Sequence, residues 1–165
     1  MANVQKFVNT FHKICLIITH KKIRSMFSKI FNNFGKYLRQ YSTDVKSIEN
    51  IDDETKDKIS NDAFLIFMNV LIIGQKTFKA KIIPHDPSDD LSNQNMDNST
   101  IFKKLIKSML ENQDSISKNE KLEESEKKRL LNQSSFLVSQ LVEMSEIIRK
   151  TEEKESGRIV NNLKT

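Results

Sequence analysis

Acidic residues are missing from the start of this chain: no Asp or Glu precedes Asp44. The same stretch carries eight cations, Lys6, Lys13, Lys21, Lys22, Arg24, Lys29, Lys36 and Arg39. Other scarcities run through all 165 residues, which hold no Trp, one Cys, two Pro and three Gly. A single cysteine, Cys15, rules out an intrachain disulfide framework and argues against a thiolate metal site. His85 is the one histidine after the acid-free stretch. A three- or four-ligand zinc site is therefore not expected, and Ser-His-Asp chemistry would rest on a single loop residue. There is no glycine-rich phosphate loop. Neighbouring carboxylates such as Asp89-Asp90 and Glu123-Glu124 point in different directions on a loop or helix, so they do not face each other across a cleft. No catalytic residue, metal site or cofactor is expected.

What the first stretch does contain is periodic. Ile23, Met26, Phe27, Ile30, Phe31, Phe34 and Leu38 recur at spacings of three and four, one apolar stripe on a helix, with Lys21, Lys22, Arg24, Lys29 and Lys36 mostly off it. An acid-free amphipathic segment rich in basic, hydroxyl and amide side chains fits a mitochondrial transit peptide over residues 1–41. Its charge responds to a negative-inside potential and its stripe suits a receptor groove of the import machinery. Arg39, Tyr41 and Ser42 match a matrix-processing pattern, which predicts cleavage between Tyr41 and Ser42 and a mitochondrial matrix location. Two other readings stay open at this point. One is a retained basic helix touching a membrane or nucleic acid. The other is a signal anchor around Ile14-Cys15-Leu16-Ile17-Ile18, far shorter than the roughly 18 apolar residues of a membrane span.

Subtracting that segment changes the charge. Residues 42–165 hold 19 cations against 22 acids, so no global basic field for nucleic acid remains, although local patches do. The rest is long enough for one domain. Residues 42–60 are polar and acidic and read as a linker or frayed helix. Phe64-Leu65-Ile66-Phe67-Met68-Asn69-Val70-Leu71-Ile72-Ile73 suits a buried helix or a strand; helix is preferred because no second segment alternates to pair with it. Residues 84–98, with two Pro and several Asp and Asn, read as a loop. Asn98, Ser99 and Thr100 are N-cap candidates for a helix bearing Ile101, Phe102, Leu105, Ile106, Met109 and Leu110. Asn112 to Lys121 is polar and is expected to end or bend it. Phe136, Leu137, Leu141, Met144, Ile147 and Ile148 mark another amphipathic helix to about Lys150. Glu152–Ser156 reads as a charged break before a short terminal helix. The chain is therefore expected to be all-α, with four or five helices and no repeats.

Several of these segments carry a resemblance. Lys104-Leu105-Ile106-Lys107 through Gln113-Asp114-Ser115-Ile116, then Leu122-Glu123-Glu124-Ser125-Glu126 leading to Phe136-Leu137-Val138-Ser139-Gln140-Leu141, resemble the YqeY-like (GatB/YqeY) family. So does Gly157-Arg158-Ile159-Val160-Asn161-Asn162-Leu163. Val138 stands where the family has proline, and residues 84–98 look like an insertion. The chain is thus similar to a divergent fungal-type mitochondrial member. The resemblance implies a helical domain over 61–141 and a truncated helical C-terminal module over 142–165. It further implies a relative of tRNA-dependent amidotransferase B-subunit tails that binds tRNA, amidotransferase subunits or a tRNA-handling complex without chemistry of its own. The family label can also carry carbon–nitrogen ligase activity, with glutamine as amido-N-donor, by descent.

Phosphate binding needs a few Lys or Arg side chains placed together. The candidates are Lys103, Lys104 and Lys107, then Lys127, Lys128 and Arg129, then Arg149, Lys150 and Arg158; each group can equally be an ordinary solvated face. No aromatic platform lies among them for single-strand readout. The alternative expectation is a helical protein-interaction or assembly factor of a mitochondrial membrane or ribosomal complex, docking through the Phe64–Ile73 run or the Phe136–Ile148 stripe.

Overall fold

A computed structural model of the chain describes the backbone of residues 2–79 and 96–164 and the side chains of residues 21–79 and 96–157. It holds four α-helices, α1 (Ala2–Ser47), α2 (Asp53–Phe78), α3 (Asn98–Ser117) and α4 (Glu124–Lys164), and no strand among the described residues. The chain is all-α. Short turns join α1 to α2 and α3 to α4, which makes each pair an antiparallel hairpin. Side-chain bonds give the remaining directions. Gln133 of α4 bonds Asp44 of α1, Asn112 of α3 bonds Asp62 of α2, and Gln113 of α3 bonds Ser135 of α4. The result is an up-down-up-down bundle in which each helix packs on two antiparallel neighbours, with α4 packing most extensively on α3 and α1.

The core is one cluster fed by all four helices. Phe34, Leu38, Tyr41 and Val45 come from α1, and Ile59, Ile66 and Val70 from α2. Phe102 and Met109 come from α3, and Leu130, Leu137, Leu141, Met144 and Ile148 from α4. These positions repeat at three and four residues, the spacing that puts side chains on one helix face. The α1–α2 crossing has its own device. An added Cβ at Gly35 would lie 2.9 Å from the Phe67 ring, and one at Gly74 would lie 2.6 Å from the Phe27 ring. Each helix thus offers a glycine notch to a phenylalanine of the other. Phe78, Phe27, Phe31 and Phe67 form a continuous aromatic ladder along that seam, with centroids 5.1–6.2 Å apart.

Several expectations need correction here. The stripe Phe27–Leu38, expected to dock in a receptor groove, lies in the core, and Tyr41 is 1% exposed. Residues 23–41 are therefore part of the fold, and a cut between Tyr41 and Ser42 would take Phe27, Phe31, Phe34, Leu38 and Tyr41 out of it. Of the two expectations for residues 42–60, helix holds and linker does not: α1 runs to Ser47, α2 starts at Asp53, and Val45, Ile48, Ile51 and Ile59 are buried. Asp97, rather than Asn98 to Thr100, caps α3, accepting the Thr100 amide at 2.7 Å. Helix α3 ends at Ser117, within the segment Asn112–Lys121 expected to end it, but Asn112 itself lies inside the helix. It is buried, accepts from Lys58 Nζ at 2.9 Å and donates to Asp62 at 3.0 Å, so its polarity is satisfied inside a clasp between α3 and α2. No break occurs at Glu152–Ser156. Helix α4 continues to Lys164, with Arg149 paired to Glu146 and Glu153 at helical spacing, so residues 142–165 are not a separate module. The loop expected over 84–98 lies outside the described residues up to position 95.

Candidate interaction surface

Helix α2 is apolar on two sides. Between Asp62 and Lys76 it has no charged residue. Ile59, Ala63, Ile66, Val70 and Ile73 face the core, as the three-and-four spacing requires. The same run also places Phe64, 64% exposed, and Leu65, 55% exposed, on the opposite side, with Met68 and Ile72 half-buried beside them. At about 100° per residue, Phe64, Met68 and Ile72 fall within about 80° of one another around the axis. A soluble helix normally turns charge to the outside. Here the outer stripe is apolar and no described helix covers it.

Charge is confined to the ends of that stripe. Glu54 and Asp57 stand exposed near the start of α2, and Lys76 and Lys79 near its end. Asp52 caps the helix, accepting the Thr55 amide at 3.2 Å. Hydrogen bonding from Thr55 holds the Asp52 carboxyl below the ordinary range, and Thr100 does the same to Asp97 at the start of α3. Lys79 closes α2 in the left-handed region, φ 53°, and its backbone amide donates to the Gln75 carbonyl.

Beside the stripe, along the α1–α2 seam, runs an open groove of about 540 Å³. The stacked Phe31 and Phe67 lie in it, rimmed by Asn32, Lys36, Arg39, Gln40 and Thr43. Arg39, expected in a processing signal, thus sits on the groove wall, while Tyr41, two residues on, points into the α1–α4 interface. Burial pushes the Tyr41 hydroxyl up to about 12, softened by the neighbouring Ser134 hydroxyl, with which it makes no hydrogen bond of normal geometry. Ser42, on the other side of the expected cut, faces α2, its hydroxyl 3.0 Å from that of Ser60.

The cationic candidates do not converge. Lys103, Lys104 and Lys107 are exposed together on the outer face of α3. Lys127, partly buried and 3.7 Å from Glu124, stands with exposed Lys128 and Arg129 at the start of α4. Exposed Arg149 and Lys150 stand 21 residues beyond Lys128, roughly 30 Å along the axis. Arg149 is neutralised by Glu146 at 2.9 Å and by Glu153; these pairs raise its pKa further. The side chain of Arg158 lies outside the described residues, as do those of His12, Cys15, His20 and His85. Among the described residues no group of three His, Cys, Asp or Glu is arranged to hold a metal ion, and no helix is long and apolar enough to cross a membrane.

The outer α2 stripe was hidden in sequence because Phe64–Ile73 reads as one apolar run, in which inner and outer positions look alike. The signal that could separate them is length. A run of ten residues, nine of them apolar, on a 26-residue helix exceeds what one core-facing side can use. Comparison with protein-family models, curated proteins and solved structures finds no match.

Proposed function

We propose that this chain is a helical protein-interaction module, without chemistry of its own, whose docking face is the outer side of α2. The observation that carries the reading is the exposure of Phe64 and Leu65 within a charge-free stretch of a helix whose other side already fills the core. Leaving large apolar side chains in water forgoes their transfer free energy, so a contiguous stripe of this kind marks a surface that is covered in use. The aromatic ladder and glycine notches hold α2 rigidly on α1, which presents the stripe without an ordering cost at binding. A second reading, contact with tRNA phosphates, is favoured by one observation, the shared exposure of Lys103, Lys104 and Lys107 on α3. A matrix location, with the residues before Ile23 as import address, is compatible with this bundle.

Site-specific photocrosslinking in cells tests the main reading. A benzophenone side chain at position 64 is expected to trap a discrete protein adduct, while the same group at position 100, on the outer face of α3, traps none. Adducts equal at both positions, or absent from both, count against it. Salt-sensitive recovery of tRNA that is lost on reversing the charge of Lys103, Lys104 and Lys107 would move the assignment to the second reading.

A further inference from the structure

We infer that the partner of the α2 face is a second copy of this chain, docked with the two α2 helices antiparallel and the two-fold axis at Met68. This rests on the reading of α2 as a docking face and names its occupant. The argument is the order of side chains along the stripe. From the N-terminal end it reads Asp57, Phe64, Met68, Ile72 and, at the C-cap, Lys79. At 100° per residue these fall within about 40° of Met68 around the helix axis. The pattern is acid, apolar, apolar, apolar, base.

Reversed and laid on itself about Met68, the pattern is complementary at every step. Met68 meets its own symmetry mate, Phe64 meets Ile72, and Asp57 meets Lys79. Each pair occurs twice, as an isologous two-fold contact demands. A parallel pairing would set Asp57 against Asp57 and Lys79 against Lys79. The charged ends therefore select the antiparallel arrangement, while the apolar centre supplies the driving force. Asp57 and Lys79 are both exposed; of the two cations near the acidic end, Lys58 is engaged with Asp62 and Asn112 inside the protomer, and Lys56 lies about 120° from Met68 around the axis. One helix per protomer is a small interface, which sets the expected dissociation constant on the order of micromolar.

Sedimentation equilibrium of the full chain tests this. The expected result is a mass rising from one to two copies of the 19.2 kDa chain across the micromolar range. Phe64→Asp is expected to hold the chain monomeric with an unchanged helical circular dichroism signal. Asp57→Lys and Lys79→Asp are each expected to weaken dimerisation at least fivefold, and the double variant to restore it. In a Cys15→Ser background, Met68→Cys is expected to give a symmetric disulfide dimer that Thr100→Cys does not. A chain that stays monomeric at all concentrations overturns self-association. If position 64 still crosslinks to a different protein, the docking reading survives with another partner. A dimer that ignores both Phe64→Asp and the charge swap overturns the α2 geometry.

Discussion

Helices α2 and α3 are neighbours in the bundle and share a plan on their inner sides. Each starts with an Asp cap bonded to the amide of a Thr three residues on, and each buries a stripe at three-and-four spacing. Their outer sides differ in charge. Outward on α3 stand Lys103, Lys104, Lys107, Glu111 and Asp114 with Leu110 exposed among them, and the C-cap Lys118 bonds Asp114 at 2.9 Å. Outward on α2 stand Phe64, Leu65, Met68 and Ile72. Inner faces are dictated by the core they fill, whereas outer faces record what surrounds the protein. The same bundle position can therefore be solvated on one helix and apolar on the next, and the apolar one needs a separate reason.

The largest test removes the wall on which the bundle rests. A chain beginning at Ser42 lacks Phe27, Phe31, Phe34, Leu38 and Tyr41. Losing one buried aromatic costs about 3–5 kcal/mol and whole domains are stable by about 5–15. The truncated chain is expected to lose cooperative thermal unfolding by circular dichroism; a melt like that of the full chain would place α1 outside the essential fold.

Next, the inner faces should respond alike. Ile66→Ala on α2 and Met109→Ala on α3, both 1% exposed, are each expected to lower urea-unfolding stability by about 2–5 kcal/mol. A near-zero effect at either position would mean that its helix is not held by the common core.

The two caps should also behave alike in acid. Both carboxyls titrate below the ordinary value of 3.8, so their contribution is complete above it and is lost as pH falls through the lower, folded values. Asp52→Asn and Asp97→Asn keep a capping acceptor but remove the charge. Each is expected to flatten the acid limb of a pH–stability curve, and an unchanged limb in either variant would show that its cap does not titrate with folding.

The smallest stability effect separates the two outer faces. Phe64→Ser and Lys103→Ser are each expected to change unfolding free energy by no more than about 0.5 kcal/mol, as surface substitutions do. Only Phe64→Ser is expected to lower retention on a hydrophobic-interaction column. Equal retention of both variants would erase the contrast between α2 and α3.

Much of the helical plan was legible in residue spacing. Ile101, Phe102, Leu105 and Met109 are buried on α3, and Leu137, Leu141, Met144 and Ile148 on α4, as their periods require. The role of α1 was not legible. An amphipathic stripe with cations on its other side meets the physical demands of an import address and of a core helix equally. The continuity of α4 was hidden because Glu152–Ser156 is charged, yet charge on one long helix is stabilised by pairs such as Arg149 with Glu153. Gly157, read as the start of a new element, sits inside α4 with nothing within 4 Å of an added Cβ. Burial of Asn112 depended on Lys58 and Asp62, some fifty residues away in sequence.

The sequence by itself determined the helical class, because its apolar residues recur at the helical period and nothing in it alternates like paired strands. It also determined that thiol and imidazole groups are few, one Cys and three His, since composition is set before folding. Only the tertiary structure decided that α1 is core and that the Phe64–Ile73 run is divided between inside and outside. Periodicity says which residues share a face, but which face is buried depends on the neighbours that close against it.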